Sequence, residues 1–305
     1  MTAIPSAIGV ETKTPRDSGL PAWQSVWVLI FLTVLWGSSF PVSKYALSTD
    51  SVAALTFARF SVAAAVLSPF LRMDRHLWRP GLELSLFAFP AIAAQTIGID
   101  YTTVNHAAFI TSMTVIFIPL LSLALGFPVH RIIGGAAILA FIGCGLLSYD
   151  GGRLNPGDLG SLACAILYAG YILRLQTVAN KHSPLSLAAV QMLIVALLSG
   201  IWLAAEKRPA HLSHISSVIY LGVLVTAIPA WLQTVAQRAV SATKAGVIFT
   251  LEPVFAAAFG NYFLHEKWNV RSWLGAGLII AAAVLCQLPG LLRNSDQPKM
   301  SECAV

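Results

Sequence analysis

The sequence predicts an all-α integral membrane protein of ten transmembrane helices, arranged as two inverted five-helix repeats. Three observations carry that expectation. Hydrophobic residues make up 57% of the chain and charged residues only 10%, and the mean hydropathy of +0.75 lies far above the range of water-soluble domains. The apolar residues gather in runs of roughly 20, the length a helix needs to cross about 30 Å of hydrocarbon. The second half of the chain also echoes the first. Continuous apolar runs without alternation argue against a transmembrane barrel.

The runs cover residues 27–47, 52–71, 82–101, 107–127 and 132–147, then 159–178, 185–204, 216–236, 246–264 and 273–288. Short connections bearing proline, glycine or charge separate them. Residues 1–22 form a polar tail. Lys13 and Arg16 precede a first run that lacks a small-residue cleavage site, so that run is expected to stay as a helix and not to be removed as a signal peptide. Ten crossings put both termini on one side. With the N-terminus inside, twelve basic residues face the cytoplasm: Lys13, Arg16, Arg72, Arg75, Arg79, Arg131, Arg174, Lys181, Arg238, Lys244, Arg293 and Lys299. Six face outward, Lys44, Arg153, Lys207, Arg208, Lys267 and Arg271. The positive-inside rule then places both termini in the cytoplasm of a multi-pass protein of the cell membrane.

The +6 net charge comes from these scattered loop residues. They form no basic patch, so nucleic acid is not an expected partner, and membrane lipid is. Cys144, Cys164 and Cys286 fall in apolar runs and Cys303 in the tail 291–305, without the CxxC pairs of a metal site or a disulfide framework. The string "HEKW" at His265 lacks the second histidine of a zincin helix. Nothing calls for a metal or a cofactor, and the Gly-rich phosphate loop that ATP hydrolysis would need is absent from the sequence.

The repeat is visible in several places. "PAIAAQT" from Pro90 in the third run matches "PAWLQT" from Pro229 in the eighth, and "AAFITSM" from Ala107 matches "AGVIFTL" from Ala245, each leading to a proline, Pro119 and Pro253. "RIIGGAA" from Arg131 resembles "RSWLGAG" from Arg271, and "LWG" from Leu35 resembles "LYA" from Leu167. The repeats span 23–149 and 150–290, five runs each. Five is odd, so the second copy begins on the side opposite the first and the two are inverted. Secondary transporters recurrently use this plan, with the substrate site near the midplane between the halves.

"LWGSSFPVSKYAL" in the first run, "FARF" in the second, "AAFITSMTVIFIPLLS" in the fourth and "IFTLEPVFAAAFGNYFLHEKW" in the ninth together resemble the EamA-like transporters of the drug/metabolite transporter superfamily. The resemblance covers residues 27–288, and the ninth-run stretch is its most specific part. It implies ten helices in two inverted repeats around a central cavity, and movement of small metabolites, amino acids or drugs across the cytoplasmic membrane, often as efflux. The chain departs from the family's pattern at "FPVHR", where Pro128 and His130 stand in place of an acidic residue.

Glu252 is followed at once by Pro253 in a run whose nine Val, Ile, Leu and Phe residues favour insertion by roughly 3 to 5 kcal/mol. A carboxylate cancels much of that, so it must be protonated, paired or facing water inside the protein. Two readings stand. Glu252 is a cavity carboxylate that binds a cationic group or carries a coupling proton, with Pro253 freeing the carbonyl of Phe249 toward the cavity; or it is part of a hinge and accepts bonds from a neighbouring helix end. Arg59 is the only basic residue well inside a run and the natural partner to weigh. The two sit at different depths, so pairing is not implied, and Arg59 can equally hold the carbonyls of a broken helix or an anionic substrate group.

Gln95 and Gln233 occupy matching places in the two copies, where each can hydrogen-bond a zwitterion or an amide, or simply a neighbouring helix. Trp36 and Tyr168 also match, as aromatic walls of a cavity or as packing. "GSSFP", with Ser38, Ser39 and Pro41, is a candidate interruption of the first helix; serine back-bonding in an intact, kinked helix is the alternative. Pro90, Pro119, Pro229 and Pro253 are further candidate breaks or hinges. Thr111, Ser112 and Asn261 are candidates for a polar path, and Gly134, Gly135, Gly143, Gly145, Gly275 and Gly277 for close helix packing.

The leading expectation is a secondary transporter of a small-molecule substrate that alternates access by rocking its two halves, driven by the substrate gradient or by protons through Glu252. One deeply placed arginine disfavours a dianionic sugar phosphate relative to amino acids, nucleobases or amphipathic drugs. The rival classes are an intramembrane enzyme and a passive channel. Catalysis would need a nucleophile and base, or paired carboxylates, within reach. Glu252 is the only clearly embedded acid, while Asp100 and His106 lie near the ends of their runs, so no catalytic residue is assigned. A channel would not saturate.

Overall fold

The structure, a computed structural model, describes residues 20–102, 104–148, 156–206, 212–264 and 269–288. Outside the described residues lie the tails with Lys13, Arg16, Arg293, Lys299 and Cys303, the loop residues Arg153, Lys207 and Arg208, and His265 with Lys267. The side chains of His106 and Asn261 also fall outside them.

Hydrocarbon offers no partner for backbone N–H and C=O groups, so each apolar run closes its bonds on itself as a helix. Seven spans are continuous or nearly so: α1 (Ala22–Ala46), α2 (Val52–Leu67), α3 (Arg75–Tyr101), α6 (Arg131–Ser148), α7 (Pro156–Val178), α8 (Pro184–Ala205) and α13 (Val270–Leu285). Three are broken. The fourth span divides into α4 (Val104–Ser112) and α5 (Thr114–Ala124), and the ninth into α11 (Ala242–Phe249) and α12 (Leu251–Leu264). The eighth runs from α9 (Ile215–Gly222) through a π-helical turn, Val223–Ala227, into α10 (Ile228–Ala236). Among the described residues nine spans are long and apolar enough to cross a membrane, and Val270–Leu285 is a tenth, shorter apolar helix. Leu86, Leu123, Ile142, Leu197 and Val284 point outward and are exposed, a surface suited to lipid and not to water. The chain is a ten-helix membrane protein, as its composition and run lengths predicted.

The breaks come from hydroxyls. In the fourth span Ser112 Oγ donates to the Phe109 carbonyl at 2.5 Å and Thr114 Oγ1 to the Thr111 carbonyl at 2.7 Å, while the Met113 N–H reaches only three residues back, to Ile110. In the ninth, Thr250 donates both its N–H and its Oγ1 to the Val247 carbonyl, at 3.3 and 2.6 Å. Side chains that bond the carbonyls of their own turn compete with the helical ladder. The turn tightens and a new helix starts one residue later. The two breaks lie within one residue of the same place in the two sequence copies.

Prolines play a smaller part than expected. Pro119 lies inside α5, six residues beyond the break at Met113, and Pro90 inside an uninterrupted α3. Pro229 is the second residue of α10, directly after the π turn. Glu252 and Pro253 are the second and third residues of α12. First-turn N–H groups have no intrahelical partner, so a proline fits there without loss, and an acidic side chain suits the positive end of the helix dipole. The interruption expected at "GSSFP" does not occur. α1 runs through Pro41, Ser38 Oγ back-bonds to the Leu35 carbonyl at 2.6 Å, and Gly37 lets α1 lie against α12: a Cβ there would come within 2.9 Å of the Ala256 nitrogen.

The most extensive helix pairings are α3 with α7, α6 with α13, α2 with α8 and α1 with α12. Each joins the first sequence half to the second. Gly143 and Gly275 face one another between α6 and α13, where a Cβ on either would meet the other's carbonyl oxygen, at 2.8 and 2.6 Å respectively. Close packing expected at Gly134, Gly135 and Gly277 is not found, since a Cβ at any of them would meet nothing within 4 Å, and one at Gly145 would only touch the Phe109 ring at 3.5 Å. Polar ties reinforce the pairing. Arg174 Nε donates to Glu83 Oε2 at 2.8 Å between α7 and α3, and Lys44 Nζ holds the terminal carbonyls of α3, Ile99 at 2.6 Å and Asp100 at 3.0 Å, as a cation at a helix C-terminus should.

Overpacking a close contact costs about 1–3 kcal/mol, whereas a methyl added in open space changes stability by no more than about 0.5 kcal/mol. Gly275→Ala is therefore expected to lower the thermal midpoint of the detergent-solubilised protein, and Gly277→Ala, half a turn away on α13, to leave it in place.

Candidate functional site

The broken spans converge on one cavity. α1 contributes Trp36 and Ser39, α2 Arg59, α3 Gln95, α7 Tyr168 and α10 Gln233; the α4/α5 break contributes Thr111, Ser112 and Thr114, and the α11/α12 break Phe249, Thr250 and Glu252. Hydroxyls that interrupt the helices thus become part of the wall.

Arg59 is held from one side. Its Nε donates to Thr226 Oγ1 at 2.5 Å, and that hydroxyl donates in turn to the Leu221 carbonyl, five residues back, at 2.8 Å. A five-residue reach is the geometry of the π turn, so the extra residue in the eighth span is what aims Thr226 at Arg59. Gly222 brings this turn close, since a Cβ there would come within 2.9 Å of the Arg59 carbonyl oxygen. Among the described residues the remaining guanidinium nitrogens have no hydrogen-bond partner, and no ion pair joins Arg59 to Glu252. Glu252 and Gln95 make no side-chain hydrogen bond among the described residues, and Thr111 Oγ1 is buried without a partner. Gln233 differs: its amide donates to Gln237 Oε1 at 3.0 Å, and Gln237 donates to the Ile172 carbonyl at 3.3 Å. Two aromatic pairs stiffen the wall, Trp36 edge-on to Phe249 with centroids 5.1 Å apart and Tyr168 edge-on to Tyr171 at 5.9 Å.

Seven of the eight substrate-contact candidates, Glu252, Arg59, Gln95, Gln233, Trp36, Tyr168 and Ser39, line this cavity, together with Pro253. Ser38 does not; its Oγ lies 2.5 Å from Tyr220 Oη and links α1 to α9. Pro41, Pro90 and Pro119 lie away from the wall, and Pro229 borders an adjoining chamber.

Comparison with known proteins is consistent along the chain. The EamA-like transporter family matches twice, over residues 23–149 and 155–287. An uncharacterized transporter of Archaeoglobus fulgidus is 31% identical over 266 residues, 85% of this chain and 84% of the relative. The threonine/homoserine exporter RhtA of Escherichia coli is 29% identical over 152 residues, 48% of this chain and 52% of the exporter. One solved crystal structure superposes with a TM-score of 0.70 at 15% identity, covering 87% of this chain and 98% of the other, a likeness of fold.

Sequence reasoning missed Thr226, Thr250 and Tyr220. Thr226 stands three residues before Pro229 in an otherwise apolar stretch, "VLVTAIPA"; a hydroxyl beside a helix breaker was the available signal. A hydrogen bond to a charged group contributes roughly 1.5–3 kcal/mol. Thr226→Val is therefore expected to destabilise the protein by about that amount in thermal melts, and Thr226→Ser to recover most of it.

Proposed function

Because the chain belongs to the EamA-like transporter family, we propose that this membrane transporter is an alternating-access exporter of a small zwitterionic metabolite of the amino-acid class, acting in the cytoplasmic membrane with both termini inside. One observation carries the reading: a single cavity offers one carboxylate, Glu252, and one guanidinium, Arg59, on different walls and not paired with each other. A zwitterion completes both. Its carboxylate takes the free face of the Arg59 fork, which accepts planar oxygens bidentately, and its ammonium takes Glu252. Gln95 and Thr111 supply uncommitted hydrogen-bonding groups beside them. Once the cavity closes over the substrate and excludes water, these charge-assisted contacts gain strength, and the charges gain the partners they lack.

The name of the RhtA relative supports the amino-acid class and the outward direction. Energy comes from the proton gradient, with Glu252 exchanging a proton for the substrate ammonium as the coupling step. The matching breaks at Met113 and Thr250 support two inverted repeats whose discontinuous helices meet at the site. Rocking of the two sequence halves as rigid bodies fits the packing poorly, because the largest interfaces run between those halves. The moving units are better drawn as helix pairs taken from both, hinged at the broken spans. Among the described residues the cavity wall holds no second carboxylate and no histidine for a catalytic reading to pair with Glu252, and a passive channel differs by failing to saturate.

Counterflow in liposomes tests this. Labelled neutral amino acids, a nucleobase and a cationic drug are exchanged by wild type, Glu252→Gln and Gln95→Ala, with and without a pH gradient. The expected outcome is saturable exchange of neutral amino acids by the wild type, driven uphill by the gradient. Glu252→Gln should lose the gradient response and about ten- to a hundredfold of the affinity, the worth of one charge-assisted contact, whereas Gln95→Ala should keep the response. Normal exchange by Glu252→Gln would make the carboxylate scaffold.

A further inference from the structure

A second, smaller chamber adjoins the cavity. Trp36, Arg59, Tyr168 and Gln233 belong to both, whereas Glu252 lines only the first. Beyond the shared four the wall is largely apolar: Phe60 on α2, Ile92 on α3, Met192 on α8, Val225 in the π turn, and Pro229 and Ala230 on α10. Its polar members are already matched. Tyr171 Oη donates to Gln191 Oε1 at 3.3 Å and receives the Gln191 amide N–H at 3.2 Å, and Thr226 is bonded on both sides. Such a wall asks nothing polar of a ligand and gains from burying apolar surface.

The arrangement divides labour at Arg59. Because Thr226 is itself in the wall of the second chamber, the bond that fixes Arg59 Nε holds Arg59 in the wall that the two spaces share. Resting on the zwitterion reading above, we propose that the second chamber is the side-chain subsite of the same substrate. With the carboxylate on Arg59 and the ammonium on Glu252, the substituent on the intervening carbon extends past Arg59 into the apolar space. The chamber then selects amino acids with an apolar side chain of leucine to phenylalanine size. Met192, unbranched and polarizable, adapts the wall to either shape.

The test is competition for counterflow by glycine, alanine, leucine and phenylalanine, read as the ratio of apparent affinities for phenylalanine and alanine. The wild type is expected to bind more tightly as the side chain lengthens, on the order of tenfold for a methylene well placed in an apolar pocket. Ala230→Phe, which fills the chamber, should move the ratio toward alanine by about tenfold, and Met192→Ala, which widens it, should move the ratio the other way. A flat wild-type series, or a ratio unmoved in both variants while exchange persists, overturns the subsite and leaves the Glu252 and Arg59 reading standing. Absence of saturable exchange of any of the four by the wild type overturns that reading and the subsite with it.

Discussion

The constraint from which the rest of this structure follows is that a backbone group left open in hydrocarbon has no water to turn to. A membrane span can be interrupted only where protein surrounds the gap. Among the described residues three spans are interrupted, at Met113, at Thr250 and through Val223–Ala227, and all three interruptions sit on the same internal space or beside it. The cavity and the breaks are thus one feature seen twice. Hydroxyls from Ser112, Thr114, Thr226 and Thr250 take up carbonyls that the helical ladder releases, and in doing so they supply the polar lining of the space they help to open.

The charges obey the same logic. Arg59 would be costly against lipid, but one side of its fork is fixed by a threonine in the π turn, and the other side faces the cavity. Glu252 would be costly in the middle of a helix; as the second residue of α12 it stands at a helix start, where the dipole favours it. Neither charge is neutralised by the other. A site whose two ionic groups satisfied each other would be a strut, and one in which they stay apart can be completed by a molecule that brings both charges itself.

Much of this was legible in the sequence, because the dominant signals are long and additive. Run lengths set by bilayer thickness predicted the helices from 27–47 to 273–288, and the paired strings around Gln95 and Gln233 pointed to residues that now face one cavity. What could not be read were the features decided by one residue in three dimensions. Proline suggested breaks at Pro41, Pro90 and Pro119, but a helix that can bend and find side-chain partners absorbs a proline, whereas the real gaps turn on hydroxyls next to Met113 and at Thr250. Glycine suggested close contacts, yet whether Gly143 or Gly134 meets a neighbour depends on which face of α6 looks inward, and a run that is apolar on all sides carries no periodicity to say so. At Thr226 the hydroxyl near Pro229 marked the place but not the π turn, which has no composition of its own.

The pairing of helices across the two sequence halves bears on how the chain reaches this state at all. A protein made from its N-terminus presents α1, α2, α3 and α6 to the bilayer before α12, α8, α7 and α13 exist. Through that interval Gly37 and Gly143 line grooves without tenants, and Arg59 lacks the threonine that will steady it. Inserting five helices is therefore not the same as folding five helices. The first five spans wait for their complement, and α13, the last of the described helices, closes the interface on α6.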